Sequence, residues 1–253
     1  MNQERPIIIA GPCVIEDEIT MYHVAAKLDE LRGKYDIELY YKSSFCKANR
    51  TKGESYRGPG LEKGLSLLAE IKQQYNLPIV TDIHESYEAA IVSEIAEIIQ
   101  IPALLCRQSH LIEAAARTGR CVNIKKGQFL SGNDMRHVAA KARKAGAKQL
   151  LLTERGNSFG YNNLIVDFRN IAIMRDICDG VIMDCTHSVQ LPNASNGVSG
   201  GNPEYIESMA LAAKAFGAKG YFFEVHPEPR RALCDGECML QINRLEDIIK
   251  KLI

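Results

Sequence analysis

The sequence predicts one α/β domain over residues 1–253, folded as a (β/α)8 TIM barrel. Three observations lead there. The chain has 253 residues, and a barrel of this kind takes about 250. Eight short apolar runs recur along it, at roughly the 30-residue spacing of one βα unit. No Pro-, Gly- or Ser-rich linker and no low-complexity stretch divides it.

The runs fall at residues 7–10, 37–41, 78–82, 96–101, 121–125, 149–154, 181–186 and 220–225. Continuous apolar runs of this length suit strands covered on both faces, as a parallel sheet requires. Helical spacing fills several of the gaps. Residues 18–32 carry Ile19, Tyr22, Ala26, Leu28 and Leu31 at helical spacing. Residues 61–75 carry Leu65, Leu68 and Ile71 ahead of Pro78. The stretch 134–145 is Ala-rich and stops at Gly146, 204–216 stops at Gly217, and 243–252 closes the chain.

Composition narrows the function. Lys plus Arg number 31 and Asp plus Glu 31, so the net charge is zero, which argues against a general nucleic-acid binder. No apolar stretch approaches the roughly 20 residues needed to span a bilayer. The start, M-N-Q-E-R-P, lacks a signal-peptide layout. The expected compartment is the cytoplasm, and the eight cysteines are expected to be thiols there. Cys106, Cys121, Cys178 and Cys185 read as small buried hydrophobes. Cys234 and Cys238 lack a strong zinc spacing. Cys13 differs, because it follows the first run directly.

Barrel active sites lie at the C-terminal ends of the strands, so polar residues there are the candidates. One group is cationic: Lys42, Lys47, Arg50, Arg107, Lys125 and Arg155. Residues 42–57 alone hold five cations against one acid, Glu54. Convergent cations in a partly dry cavity require an anion, and Arg and Lys together suit phosphates and carboxylates on small molecules. A second group is Cys13, His187, Glu224 and Asp235, at the ends of runs one, seven and eight. Closure of the barrel makes the first and last strands neighbours. Thiolate, imidazole and carboxylate together suit Zn, Fe(II), Mn or Co rather than Mg. No local motif links these four, and His187 alone reads equally well as a hydrogen-bonded loop residue. Asn49, Asp82, His84, Gln100, Lys126 and His226 are the other polar strand-end residues. Residues 188–202, rich in Gly, Ser and Asn, read as a surface loop or as a lid over the cavity. His23, His110 and His137 fall in helical stretches and read as surface or packing residues.

The local motifs then point to a family. They are A-G-P-C at 10–13, K-S-S-F-C-K-A-N-R-T at 42–51, T-D-I-H-E at 81–85 and I-Q-I-P-A-L-L-C-R-Q at 99–108. N-I-K-K-G-Q-F at 123–129, T-E-R-G-N-S-F-G-Y at 153–161, D-C-T-H-S-V-Q-L-P at 184–192, F-E-V-H-P-E-P at 223–229 and C-D-G at 234–236 complete the set. Over nearly its whole length the chain resembles the 3-deoxy-D-manno-octulosonate-8-phosphate synthases.

That resemblance implies a condensation of phosphoenolpyruvate with D-arabinose 5-phosphate and water, feeding lipopolysaccharide (Kdo) synthesis. It implies that Lys47, Lys125 and Arg155, with Ser44, Gln100 and Ala103, hold phosphoenolpyruvate. Lys42 lies near the reacting centre, and Asp82 also lies in the substrate site. Asn49, Arg50 and Thr51 meet arabinose 5-phosphate; Thr51 stands where many members have serine. Lys42, Lys47, His187 and Asp235 take the catalytic roles. Arg107 reaches the phosphate in a neighbouring subunit, which implies a homotetramer. Members divide at the residue after G-P, where Cys accompanies a metal and Asn its absence. Cys13 therefore implies one divalent transition metal per subunit, held by Cys13, His187, Glu224 and Asp235.

The nearest alternative is a 3-deoxy-D-arabino-heptulosonate-7-phosphate synthase, which takes erythrose 4-phosphate and carries K-P-R-T where this chain has K-A-N-R-T. A non-catalytic barrel that senses phosphorylated metabolites is the alternative from another class; it predicts ligand binding without phosphate release.

Overall fold

The computed structural model describes residues 5–49, 53–195 and 198–253, apart from the side chains of 193–195, 198 and 199. Eight parallel strands close into a barrel: β1 (Ile7–Gly11), β2 (Glu38–Lys42), β3 (Ile79–Asp82), β4 (Ile98–Ile101), β5 (Cys121–Lys125), β6 (Leu150–Glu154), β7 (Gly180–Asp184) and β8 (Gly220–His226). β8 pairs with β1 in register from Ile7↔Gly220 to Gly11↔Glu224, which closes the ring. All eight lie within about two residues of the predicted runs, the usual uncertainty of element ends.

The helices are α1 (Glu18–Lys34), α2 (Leu61–Tyr75), α3 (Glu88–Ser93), α4 (Ser109–Arg117), α5 (Met135–Lys144), α6 (Arg169–Arg175), α7 (Ile206–Ala215) and α8 (Leu245–Leu252). The Asp17 carboxylate caps α1 by accepting the Thr20 N–H at 2.8 Å. α3 and α6 span only six and seven residues, too few turns for a clear periodic signal. Among the described residues no helix is long and apolar enough to cross a membrane.

Strand alternation explains both the core and the site. Ile7, Ile9, Val80, Ile98, Leu151, Ile182 and Phe222 fill the barrel interior. Ile8, Leu39, Ile79, Ile99, Val122 and Phe223 face the helices and join the larger outer core. Each such side chain contributes roughly 1.5–3 kcal/mol by leaving water. Two residues further along the inward face, the apolar interior gives way to buried Lys42, Asp82, Gln100, Asn123, Thr153, Asp184 and Glu224. The period of two therefore aims polar groups from seven strands into the C-terminal mouth. Gly11 permits the closure there, since a Cβ on it would collide with the Lys42 carbonyl.

Segment 188–202 is more regular than predicted. It contains an antiparallel hairpin of Gln190–Ser195 with Val198–Gly201. A short strand, Leu240–Gln241, extends the sheet beside the end of β8 through Val225↔Leu240 and His226↔Gln241. That pairing brings the loop bearing Cys234 and Asp235 back over the mouth.

Candidate active site

A 220 Å³ cavity opens at the C-terminal mouth. Ten of the predicted site residues line it: Lys42, Lys47, Asn49, Asp82, Gln100, Ala103, Lys125, Arg155, His187 and Glu224. A larger crevice, 520 Å³, lies at the opposite end around Arg5, Asp36 and Arg175. Arg5 and Asp36 there are mostly exposed, and none of the sequence candidates lines it.

On the β5–β6 side the cavity wall is cationic. Lys125 Nζ lies 2.7 Å from Asp184 Oδ2 and 3.7 Å from the centre of the Phe222 ring. Burial lowers the Lys125 pKa, and Asp184 opposes that shift without cancelling it. Arg155 is 5% exposed, and its NH1 has no hydrogen-bond partner among the described residues. A buried donor left unpaired costs about 1–3 kcal/mol, more when charged, so Arg155 is suited to an anionic partner. Below the wall, Asn123 donates to Gln100 Oε1 at 3.2 Å and accepts from Thr153 at 2.7 Å, which fixes the Gln100 amide.

The β2–β3 side holds Lys42 and Lys47. Lys42 Nζ donates to Ser44 Oγ at 2.8 Å and to the Cys13 carbonyl at 3.3 Å. It also lies 3.5 Å from Asp82 Oδ1 and 3.7 Å from Glu224 Oε1. Ser44 in turn donates to Asp82. Burial by itself would raise the Asp82 pKa, but Lys42 and Lys47 hold it well below the usual carboxylate range. Lys47 Nζ stands 3.7 Å from Glu224 Oε1. Burial disfavours its ammonium, yet the surrounding negative groups, the Glu224 and Asp82 carboxylates among them, outweigh burial and raise its pKa.

The β1–β7–β8 side carries the predicted metal ligands. His187 Nδ1 lies 2.8 Å from Asp184 Oδ2. Burial would raise the Asp184 pKa, but His187 and Lys125 hold it far below the usual range. An ionised carboxylate only accepts, so Nδ1 carries the proton and Nε2 points onward, 3.5 Å from Glu224 Oε2. This carboxylate–histidine pairing is how metal-binding imidazoles are commonly oriented. Both Glu224 oxygens are buried without a hydrogen-bond donor among the described residues. Asp235 sits in the left-handed region at φ 51°. Its Oδ1 accepts from Gln190 at 3.2 Å, and its Oδ2 accepts from Cys13 and Cys234 at 3.3 Å each.

These residues fit a divalent cation. His187, Glu224 and Asp235 bring ligand atoms within 4.8 Å of one another, and so do Cys13, Cys234 and Asp235. Asp235 joins the two groups. A cation at their junction would satisfy the Glu224 oxygens, and the mixed sulfur, nitrogen and oxygen donors favour a transition metal. Burial and Cys234 push the Cys13 thiol well up; coordination is what makes such a buried thiol ionise.

Some expectations need adjusting. Cys234, discounted on spacing, packs with its sulfur 2.9 Å from that of Cys13; its partner is 221 residues away, beyond any local motif. Asp184 and Gln190 were also missed. Asp184 sits at a strand end two residues before Thr186, and the inward period of β7 could have found it. Ser44 is buried beneath Lys42 and does not line the cavity. Lys126 faces away from it, toward Glu154 Oε1 at 3.5 Å and Asn157 Oδ1 at 2.9 Å. Arg107 is exposed and does not line this chain's own cavity. Arg50 and Thr51 lie outside the described residues.

The profile of the DAHP synthetase I family matches residues 2–253. A "2-dehydro-3-deoxyphosphooctonate aldolase" of Helicobacter hepaticus is 51% identical over 257 residues, covering 97% of this chain and 95% of the relative. Proteins of the same name from Campylobacter jejuni and Desulfatibacillum aliphaticivorans are 48% and 47% identical. They cover 99% and 98% of this chain, and 96% and 90% of their own length. With the family profile spanning all but the first residue, the chain belongs to the DAHP synthetase I family.

Proposed function

We propose that this chain is a transferase that condenses phosphoenolpyruvate with D-arabinose 5-phosphate and water. The products are 3-deoxy-D-manno-octulosonate 8-phosphate and inorganic phosphate, in the cytoplasmic part of lipopolysaccharide (Kdo) synthesis. The observation that carries this reading is the convergence of Lys42, Lys47, Lys125 and Arg155 on one cavity that also holds His187 and Glu224. The names of relatives 47% to 51% identical support the choice of sugar.

In the reaction, C3 of phosphoenolpyruvate bonds to the aldehyde carbon of the sugar, whose oxygen takes a proton. Water adds at C2, and the C2–O bond to phosphate breaks. Lys47, Lys125 and Arg155, with Gln100 and Ala103, hold the phosphate and carboxylate of phosphoenolpyruvate and stabilise charge on the departing phosphate. Lys47, held firmly charged, serves as a point charge. Lys42, oriented by Ser44 and Asp82, donates toward the aldehyde oxygen. Asn49, Arg50 and Thr51 meet the sugar phosphate. Arg107, exposed outside its own cavity, reaches the sugar phosphate in a neighbouring subunit of a homotetramer. Cys13, His187, Glu224 and Asp235 would hold one divalent ion, Zn, Fe(II), Mn or Co. When bound it supplies Lewis acidity toward the aldehyde or the water, or orients the sugar.

The description of the family favours a second reading, condensation with erythrose 4-phosphate. Phosphate release measured side by side with the two aldoses separates the readings. Faster turnover with arabinose 5-phosphate is expected. Preference for erythrose 4-phosphate overturns the choice of sugar. Phosphoenolpyruvate binding with release from neither aldose overturns the enzymatic reading in favour of a sensor.

A further inference from the structure

The proposed metal ligands come from three separate segments: Cys13 after β1, Glu224 in β8, and Asp235 in the loop before Leu240. A shared set of this kind works only if something fixes the distances between the segments. Glu16 touches all three. It lies three residues after Cys13 on the same loop. Its Oε1 accepts the N–H of Leu233, two residues before Asp235, at 2.9 Å. Its Oε2 lies 3.6 Å from Nε2 of His226, two residues after Glu224.

The contact with His226 is enclosed. The Glu16 side chain is 5% exposed and that of His226 7%. His226 Nδ1 accepts the Glu228 N–H at 2.9 Å, so in the neutral ring Nε2 carries the proton and points at Glu16. That Nε2 has no hydrogen-bond partner among the described residues. The loop bearing Glu16 is anchored on its other side, where Ile15 N–H donates to the Ser44 carbonyl at 3.0 Å and Tyr56 OH donates to the Ile15 carbonyl at 2.9 Å. Withdrawing a carboxylate from water is costly, and an apolar residue in such a place is often no less stable. Its use here is geometric.

We propose that Glu16 is a positioning residue that sets the spacing of Cys13, Glu224 and Asp235 from behind the site. The inference rests on the metal reading of those residues. Partners of this kind alter metal affinity by about 10–100-fold when removed; acting through backbone, Glu16→Ala is expected near the lower end, about tenfold. Glu16→Gln keeps the acceptor for Leu233 and loses the charge facing His226, so a smaller loss than in Glu16→Ala is expected.

The test titrates Co(II) into metal-free protein, following the thiolate-to-cobalt absorption and competition with a chelating dye. Phosphoenolpyruvate affinity of the same metal-free samples is measured by calorimetry. Weaker Co(II) binding with unchanged phosphoenolpyruvate affinity supports the role. Wild-type Co(II) affinity in Glu16→Ala, or an equal loss of both affinities, overturns it. Should the Ala variant not fold, Glu16→Gln decides: unaltered Co(II) affinity in the folded variant overturns the role. Wild-type protein that takes up Co(II) with no thiolate absorption overturns the metal reading instead.

Discussion

The two halves of the barrel mouth are built on opposite terms. The β5–β6 half presents Lys125 and Arg155; on the β1–β7–β8 half His187 and Glu224 line the cavity, while the predicted ligands Cys13 and Asp235 lie outside its lining. In the first, Lys125 is already paired with Asp184 at 2.7 Å, while Arg155 NH1 awaits an acceptor. In the second, Glu224 holds two buried oxygens with no donor among the described residues. One half holds a donor and the other two acceptors without hydrogen-bond partners among the described residues. Such groups cost stability in an empty site and contribute binding energy in an occupied one. Lys42 and Lys47 stand between the halves, each 3.7 Å from Glu224, so the charges do not simply cancel across the cavity.

If the halves do separate jobs, they break separately. Lys125→Met carries the largest expected effect. On the proposed assignment it removes a charge that stabilises the departing phosphate, for a loss of about 10²–10³-fold in kcat/KM, with phosphoenolpyruvate binding weakened in calorimetry. Unaltered phosphoenolpyruvate affinity in that variant breaks the assignment of the cationic half. Cys13→Asn comes next. It is expected to weaken the cobalt–thiolate absorption and to reduce turnover by about tenfold or more, on the scale of a lost ligand, while phosphoenolpyruvate affinity stays at the wild-type value.

Gln190 sharpens the comparison, because its side chain spans the halves. Its Nε2 donates to Asp235 at 3.2 Å and its Oε1 lies 3.5 Å from Arg155 NH2. Gln190→Ala removes about 1 kcal/mol of hydrogen bonding, so a loss near fivefold in kcat/KM is expected, with both metal and phosphoenolpyruvate affinities lowered. A drop in only one of them removes Gln190 as a bridge. The smallest effect belongs to Asn49→Ala at the exposed rim. KM for arabinose 5-phosphate is expected to rise about threefold, with KM for phosphoenolpyruvate unchanged in steady-state kinetics.

The fold was legible because buried parallel strands leave continuous apolar runs, and all eight runs became barrel strands. Strand-end position located Lys42, Asp82, Gln100, Lys125, Arg155, His187 and Glu224 for the same reason: the inward face of a strand continues into the mouth. α3 and α6 escaped notice because two turns hold too few apolar positions to show a period; α4 was missed although Leu111, Ile112, Ala115 and Ala116 repeat at helical spacing on its buried face. Cys234 and Glu16 escaped for a different reason. Their partners lie more than 200 residues away, in contacts created only by closing β1 on β8. Lys126 shows the limit of strand-end position alone. One residue beyond Lys125, it points to the other side of the barrel wall and holds the Gly127, Leu130 and Gly156 carbonyls.

The division of the mouth is tested most directly by calorimetry of phosphoenolpyruvate on chelated and cobalt-reloaded protein, paired with turnover on the same samples. The expected result is phosphoenolpyruvate affinity within about threefold in the two forms, with turnover lost on chelation and recovered on reloading. Phosphoenolpyruvate binding that disappears with the metal, or full turnover in rigorously metal-free protein, would contradict the account.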